Sequence, residues 1–325
     1  MTSRRGFLKA AMAGGLLATS PRSAWQLLST PVWSAISAPL LEVQAGETLI
    51  TILHTNDTHS QIDPIPANDR LYPDKGGVAR RATLAKRIRK ENPNTLLIDA
   101  GDVFQGTPYF NFYKGEVEYK SMSLIGYDVV TLGNHDFDNG VDALAAAMKF
   151  ANFDFVSCNY DVRGTSLESR VKRYVVRTVG GVRVGLFGMG VSPDNLITPQ
   201  NFKGVTYNDP VKAAREVVAT LRGAERCTLV IGMSHLGYYP NATQGGLGDS
   251  QVAAQVDGID FIASGHTHTF MKEPVITRTP SGGNTIIFQV GRSGIYVGRV
   301  DFKMREGKLV ASAARLLDLR DEALS

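Results

Sequence analysis

The sequence predicts an α/β protein whose β-sheet is mixed. Beyond about Glu47, short apolar runs alternate with helical patterns, and this order is typical of α/β domains. The last third of the chain keeps the strand-like runs but loses the helices, which favours antiparallel pairing beside the parallel strands. Neither an internal repeat nor a Pro-rich hinge interrupts the pattern, so residues 39–325 are expected to form one domain.

Each expected element has its own local signal. The strand-like runs are short, rich in Val, Ile, Leu or Thr, and bounded by Gly, Asn, Asp or Pro. Acidic residues in the first turn favour a helix that begins at Glu116, and Asp209 before Pro210 has the residue types of an N-cap and a first helical position. The expected strands are Thr48–His54, Thr95–Asp99, Val129–Leu132, Phe155–Cys158, Val182–Gly188, Thr228–Met233, Phe261–Ser264, Thr285–Val290 and Tyr296–Phe302. The expected helices are Gly77–Lys90, Glu116–Ile125, Val141–Phe150 and Pro210–Leu221.

The composition excludes several classes of protein. A hydrophobic fraction of 43% excludes global disorder. The 2 cysteines exclude a disulfide-built scaffold and a Cys-rich zinc module. Cys158 and Cys227 both lie in apolar runs, so a disulfide between them and a pair of buried thiols remain open alternatives.

Residues 1–38 have the features of an export signal. Arg4 and Arg5, followed by an apolar run over residues 10–18, resemble a twin-arginine signal peptide. That run is too short to span a membrane, and small residues at 35–38 favour cleavage there. The protein is therefore expected in the periplasm or cell envelope, without a stable membrane anchor.

The same segment explains the basic net charge of the chain, which is formally +4. Residues 1–38 contain basic residues but no acidic one, and without them the chain has 31 residues of each sign. A neutral mature chain does not indicate a nucleic-acid or anionic-membrane partner.

Metal-ligand side chains follow five of the expected strands. Because ligands bind outside the carboxyl ends of strands in α/β sheets, these side chains would form one cluster if the strands are neighbours. His54 is the exception among the 6 histidines, since it lies within a strand and is expected to be packed or to support a ligand. The candidate ligands are Asp57, His59, Asp102, Asn134, His235, His266 and His268.

The ligand types and their spacing favour a centre with two ions. In the pairs Asp57/His59 and His266/His268, both side chains project to one side of an extended chain and could reach one ion. A mixture of carboxylate oxygen and imidazole nitrogen suits Mn, Fe, Co or Zn. Seven ligands are too many for one open catalytic ion and suit two divalent ions that share a carboxylate. The remaining positive charge of such a centre favours an anion such as a phosphate monoester.

These stretches resemble the calcineurin-like metallophosphoesterases, and in particular the catalytic domain of the bacterial 5′-nucleotidase family. The resemblance extends from about Leu49 to Phe302 and keeps the order and spacing of the motifs. It implies a four-layer α-β-β-α sandwich with two mixed sheets and a dinuclear site at one rim. The matching stretches are Leu53–His59, Asp99–Gly106, Leu132–Gly140, Ser234–Gly237 and Ser264–His268.

The resemblance also implies a role for each candidate residue. Asp102 would bridge the two ions, and His135 with Asp138 match the catalytic dyad of the family. The implied mechanism is in-line attack on phosphorus by a metal-activated water, with His135 donating to a phosphoryl or leaving-group oxygen. The ligands of one ion would be Asp57, His59 and His268, and those of the other Asn134, His235 and His266.

Two features depart from the family pattern. His268 stands where the best-known 5′-nucleotidases often have an amide. Those enzymes also have a C-terminal nucleotide-binding domain, which is expected to be missing here because the sequence stops at Ser325. Either the substrate is recognised differently, or a separate subunit supplies that domain. Within this chain the candidate substrate contacts are Phe104, Tyr238 and Arg292, each with an ordinary packing or surface role as the alternative.

The leading hypothesis is therefore hydrolysis of 5′-nucleotides or other small phosphate monoesters. Hydrolysis of a 2′,3′-cyclic nucleotide and the thiosulfohydrolase reaction are enzymatic alternatives for a site of this kind. A metal-binding scaffold module is the non-enzymatic alternative, but such modules lose ligands or the catalytic histidine, and both are present here.

Overall fold

Two mixed β-sheets form the centre of the structure. The computed structural model describes residues 40–239 and 247–319. The strands are β1 (Glu47–Thr55), β2 (Thr95–Asp99), β3 (Val129–Thr131), β4 (Asp154–Val156), β5 (Tyr160–Asp161), β6 (Val171–Lys172), β7 (Tyr174–Val179), β8 (Val182–Gly190), β9 (Thr206–Tyr207), β10 (Leu229–His235), β11 (Phe261–Ser264), β12 (Val275–Arg278), β13 (Asn284–Phe288), β14 (Tyr296–Arg305) and β15 (Lys308–Asp318). The larger sheets have the orders β15-β14-β1-β2-β3-β4-β6 and β12-β13-β11-β10-β8-β7, and β5 pairs with β9.

Each large sheet has a parallel centre and antiparallel edges. In the first sheet β1, β2, β3, β4 and β6 are parallel, while β14 and β15 add antiparallel pairs at one edge. In the second sheet β8, β10, β11 and β13 are parallel, and β7 and β12 pair antiparallel at the two edges. The mixed sheets expected from the sequence are confirmed.

Helices cover the outer faces of the sheets. They are α1 (Val78–Glu91), α2 (Pro108–Tyr113), α3 (Glu116–Ile125), α4 (Val141–Ala147), α5 (Pro210–Arg222) and α6 (Asp249–Ala253), and a 3-10 turn spans His135–Phe137. The Asp209 side chain caps α5 by accepting from the Lys212 N–H at 2.7 Å, as the Asp-Pro pair predicts. None of the helices among these described residues is long and apolar enough to cross a membrane.

The side chains of the first sheet alternate between two hydrophobic cores. Ile50 and Ile52 of β1 belong to the core that also contains Phe261 of the second sheet. Leu53 of β1 and Leu97 of β2 belong to the other core, with α1, α3 and α4. This alternation follows from the two-residue period of a strand. The α-β-β-α sandwich expected from the sequence is thereby confirmed.

Several elements were not expected from the sequence. The strand β15 is rich in Ala and Leu, which favour helices, but its pairing with β14 from Tyr296 to Arg305 overrides that propensity. The helix α2 has the sequence PYFNFY, in which aromatic residues obscure the helical pattern. The strands β7 and β12 are edge strands with partly exposed faces and a weak apolar signal. The helix expected to reach Phe150 leaves α-geometry at Ala147 and finishes as a 3-10 turn.

The two cysteines are buried free thiols, which settles the alternative left open by the sequence. Burial raises the pKa of Cys158 to about 12, so its thiol stays protonated and unreactive. The export signal expected over residues 1–38 lies outside the described residues.

Candidate metal centre

The five strand ends singled out by the sequence meet, but they come from two sheets rather than one. The strands β1, β2 and β3 are neighbours in the first sheet, and β10 and β11 are neighbours in the second. Two hydrogen bonds join the loops across the sandwich. Nδ1 of His235 contacts the carbonyl of Ala100 at 2.8 Å, and the N–H of His266 donates to Asp57 Oδ2 at 3.0 Å.

Asp57, His59 and His268 form one group of metal-ligand atoms, called here the outer group. The Nε2 atoms of His59 and His268 are 2.9 Å apart, and Oδ1 of Asp57 is 3.4 Å from Nε2 of His268. The carbonyl of Phe104 accepts from Nδ1 of His59 at 3.1 Å, which leaves the Nε2 lone pair free. Ligand atoms about 2.1 Å from a shared ion lie about 3 Å apart, so this spacing fits a metal ion.

Asp102, His235 and His266 form a second group, called here the inner group. Nε2 of His235 lies 3.0 Å from Oδ2 of Asp102, and both side chains are almost fully buried, with 0% and 2% exposed. Because Ala100 accepts from Nδ1 of His235, the imidazole presents Nε2 to the carboxylate.

The two groups are contiguous. Oδ1 of Asp57 lies 3.9 Å from Nε2 of His235, although Asp57 belongs to the outer group. Asp102 in turn interacts electrostatically with His59 of the outer group as well as with His235. Two ions held by these groups would therefore be close neighbours.

His266 and His268 fall in different groups, as the family resemblance implies. This corrects the expectation from their spacing alone that the pair could reach one ion. The spacing argument assumed an extended chain, but φ is 74° at His266 and 52° at His268, so the chain is not extended there. Asp57 and His59 share the outer group although φ is positive at both of them too, 50° and 47°, so the sign of φ does not by itself decide which residues share a group.

Asn134 fits a ligand of the inner group. Its side chain is 3% exposed, and its Oδ1 atom is buried without a hydrogen-bond partner. The next residue, His135, donates its N–H to Oδ1 of Asp102 at 2.8 Å, which places Asn134 beside this group. Because an unpaired buried oxygen is costly, a bound cation would supply the partner it lacks.

The charges of the site also favour a cation. Burial lowers the pKa of His266 to about 4, so its imidazole is neutral and able to coordinate a metal at pH 7. Burial disfavours the charged form of His235 as well, but Asp102 and Asp57 outweigh that effect and raise its pKa to about 10. The two carboxylates thus hold a proton on His235 that a bound metal ion would replace.

His135 and Asp138 form a hydrogen-bonded pair at the rim of the outer group. Nδ1 of His135 is 3.0 Å from Oδ2 of Asp138, and about a third of each side chain is exposed. The 3-10 turn over His135–Phe137 brings these two residues together, and the ring centroids of His135 and His59 are 5.5 Å apart. The pKa of His135 is raised, and the hydrogen bond to Asp138 is the largest cause.

The three candidate substrate contacts differ in exposure. Phe104 is 2% exposed and its ring stacks on Phe110, so the ring is not accessible to a substrate. Its backbone carbonyl instead orients His59. Tyr238 is half-buried, and its N–H donates to Thr267 Oγ1 at 3.1 Å. Arg292 is exposed and precedes Ser293, whose N–H donates to the carbonyl of Asp57 at 2.7 Å.

His54 packs in the core, as the sequence predicts. It is fully buried, and its ring centroid lies 5.4 Å from those of Phe261 and Phe288. Burial lowers its pKa to about 3, so it is a neutral core residue.

Two residues that hold the ligands in place were missed at the sequence level. Asn56 donates from Nδ2 to Oδ2 of Asp57 at 2.6 Å and accepts from the N–H of Val290 at 3.0 Å. Asp136 is 2% exposed and accepts from the N–H groups of Asp102 at 3.2 Å and Gly133 at 2.8 Å. Asn56 directly precedes the candidate ligand Asp57, and Asp136 lies two residues after Asn134, and that position was the available signal.

The comparisons with known proteins agree with this fold. Residues 50–270 match the model of the calcineurin-like phosphoesterase family. A snake venom 5′-nucleotidase from Gloydius brevicauda is 31% identical over 88% of this chain and 50% of its own length. The 5′-nucleotidase of Vibrio cholerae is 30% identical over 92% of this chain and 56% of its own length.

A solved structure extends the similarity to three dimensions. The 5′-nucleotidase precursor from Thermus thermophilus superposes with a TM-score of 0.76 and 33% sequence identity, over 85% of this chain and 56% of that one. The chain thus spans about half the length of the curated relatives described here. The family match covers most of the described sequence and all the candidate ligands, and the chain therefore belongs to the calcineurin-like phosphoesterase family.

Proposed function

We propose that this chain hydrolyses phosphate monoesters in a metal-dependent reaction, with 5′-nucleotides as the leading substrate class. The observation that carries the proposal is the contiguity of the outer and inner groups, with the His135–Asp138 pair at their rim. The names of the relatives, which are 5′-nucleotidases, support the choice of substrate class.

Two divalent ions are part of the proposal, with Mn, Zn, Fe or Co as candidates. Asp57, His59 and His268 would hold one ion, and Asn134, His235 and His266 the other, with Asp102 as the bridge. Asp102 interacts electrostatically with both His59 and His235, and this supports the bridging role. Such ions supply a nucleophilic water of lowered pKa and offset charge on the phosphoryl oxygens.

His135 is proposed as the residue that donates a proton or hydrogen bond to the substrate. Its Nδ1 atom is engaged by Asp138, so Nε2 is left to face a phosphoryl or leaving-group oxygen. Asp138 favours the protonated form by raising the pKa of the imidazole, and the partial exposure of the pair allows a substrate to approach.

Arg292 and Tyr238 are the proposed substrate contacts that remain after Phe104 is set aside. Arg292 is exposed and directly precedes Ser293, whose N–H donates to the carbonyl of Asp57. From this position its guanidinium could pair with a phosphate. Tyr238 follows the inner-group ligand His235 by three positions and has a partly accessible ring.

The substitution His135→Asn tests the proposed reaction. With Mn²⁺ present, we expect phosphate release from AMP to fall by about 100-fold or more, because the donor is lost while the ligands remain. The matched control is Asp142→Asn, which alters a nearby carboxylate that contacts only Ser166 in the bonds described. Unchanged activity in His135→Asn at equal metal content would refute the assigned role.

A substrate panel tests the substrate class. AMP, a UDP-sugar, a 2′,3′-cyclic nucleotide, a thiosulfate conjugate and an aryl phosphate separate the proposed reaction from its alternatives. Turnover of AMP by this chain alone would show that a separate subunit is not required for substrate recognition. Turnover restricted to the cyclic nucleotide or to the thiosulfate conjugate would replace the proposed substrate class.

Export by the twin-arginine route is also part of the proposal, and it rests on the sequence around Arg4 and Arg5. Replacing both arginines by lysine in the full chain should retain the protein in the cytoplasm of a bacterium that has this pathway. Unaltered export of the double variant, measured by cell fractionation, would contradict this part.

A further inference from the structure

Gln289 is a fully buried amide that contacts the ligand loop of β11. It follows β13 directly and has 0% of its surface exposed. Its Nε2 atom donates to Ser264 Oγ at 2.7 Å and to the carbonyl of Gly265 at 2.8 Å. Its Oε1 atom accepts from Thr267 Oγ1 at 3.1 Å and from the N–H of Thr269. Both donors and both acceptor positions of the amide are therefore used.

All four partners of this side chain lie within residues 264–269, the loop that contains His266 and His268. One partner precedes His266 directly, one lies between the two histidines, and one follows His268. Because His266 belongs to the inner group and His268 to the outer group, the loop contributes a ligand to each.

The loop needs such support because its backbone is strained. The φ angles of His266 and His268 lie in the left-handed region, which residues with a Cβ atom seldom adopt. Strained residues persist only where their surroundings determine the conformation. Hydrogen bonds on both sides of each histidine provide that determination.

A neighbouring carboxylate extends the network. Ser264 donates to Oδ2 of Asp249, which is fully buried at the start of α6. The amide of Gln289 thus connects β13, the ligand loop and α6 through one buried chain of hydrogen bonds.

We propose that Gln289 is a positioning residue that holds His266 and His268 in the geometry needed to bind two metal ions. The inference rests on the metal centre of the proposed function but not on the hydrolytic reaction. It predicts that one side chain, which contacts neither histidine ring in the bonds described, controls the affinity of both ions.

The substitution Gln289→Leu tests the inference because leucine removes all four hydrogen bonds at similar volume. Thr285→Val is the matched control: Thr285 is fully buried on the same strand, and its hydroxyl donates to the carbonyl of Ile259 at 2.7 Å, away from the ligand loop. Both variants lose buried hydrogen bonds, but only Gln289→Leu should release the loop.

The measurement is calorimetric titration of the chelator-treated protein with Mn²⁺ alone, together with the absorption spectrum of the Co²⁺-loaded protein. We expect Gln289→Leu to bind both ions about 10- to 100-fold more weakly than the parent chain, the range found when a residue that supports a ligand is lost. Thr285→Val should keep the parent affinities and the parent Co²⁺ spectrum.

Parent-like affinities in Gln289→Leu, or a loss no larger than in Thr285→Val, would overturn the inference. A loss restricted to one ion would overturn the claim that both histidines are held. If Gln289→Leu does not fold, Gln289→Met decides, because its unbranched side chain also lacks both amide donors and the amide oxygen, and this variant should also bind both ions more weakly.

The same titration separates this inference from the proposed function. A parent chain that binds two ions and hydrolyses none of the panel substrates would refute the reaction and leave the role of Gln289 intact. A parent chain that binds no Mn²⁺ would refute the metal centre and the role of Gln289 together.

Discussion

The inner and outer groups have similar ligands but different surroundings. In the inner group the side chains of His235 and Asp102 are 0% and 2% exposed and lie 3.0 Å apart. In the outer group the side chain of His268 is 34% exposed, and His59 lies at the rim beside His135. Each group has two buried ligands and one half-buried ligand, His268 in the outer group and His266 in the inner group. The difference is the partly exposed His135–Asp138 pair, which adjoins His59 and marks the outer group as the side where a substrate can approach.

The largest effect is expected from His235→Ala in the inner group. The variant leaves the Asp102 carboxylate buried without its 3.0 Å partner and removes an inner-group ligand. Activity toward AMP should fall by more than about 100-fold, and metal analysis should show loss of at least one ion per chain. A variant with two bound ions and parent activity would contradict the assignment of the inner group.

A smaller effect is expected from His268→Asn in the outer group. The position is partly exposed, and asparagine still offers an oxygen ligand. We expect about a 10-fold weaker affinity for one ion and an unchanged affinity for the other, measured by the Mn²⁺ titration. Equal weakening of both ions would show that the two groups do not bind independently.

The pH dependence of activity tests the pairing of His135 with Asp138 at the rim of the outer group. The hydrogen bond that His135 donates to Asp138 raises the pKa of His135, so the protonated imidazole persists to higher pH than it would alone. The substitution Asp138→Asn removes this effect. The alkaline limb of the kcat/KM profile should therefore move to lower pH, and a limb at the parent pH would refute the pairing.

A last prediction concerns the acid sensitivity of the folded core, which does not involve the metal ligands. Burial lowers the pKa of His54 to about 3, so the unfolded chain binds a proton at pH 5 that the folded chain does not. Stability contributed by neutral His54 is full above pH 6.5 and is lost as the pH falls toward 3.

The substitution His54→Leu should remove about 2 kcal/mol of the loss in unfolding free energy between pH 7 and pH 5. Chemical denaturation at both pH values measures this difference. An identical pH dependence in parent and variant would show that His54 is not the buried neutral group described here.

The sequence predicted the ligands better than the residues that hold them. Asp57, His59 and His235 follow apolar runs, and metal-ligand types at strand ends are a local signal. The division of His266 and His268 between two groups was implied by the family resemblance, whereas their i, i+2 spacing alone suggested a single ion. The ring of Phe104 has the packing role that the sequence left open as an alternative, and its burial depends on contacts with Phe110 in α2, a helix that was not expected.

The fold was predictable where local pattern and tertiary context agree. The parallel strands β1, β2, β10 and β11 are buried apolar runs bounded by turn residues, and they were expected within two residues of their bounds. Gln289 lies at the carboxyl end of such a run, but its amide is not a residue type that signals a metal site. Its role depends on four partners in a distant loop, and only the packed structure brings them together.

The central claim is that two ions at this site enable phosphate-ester hydrolysis. The most direct measurement is phosphate release from AMP by chelator-treated protein while Mn²⁺ is added back in known amounts. A catalytic centre with two ions predicts no release without metal and a rise that saturates at about two ions per chain. Release that persists in excess chelator would contradict this mechanism, and so would the absence of release from every panel substrate with two ions bound.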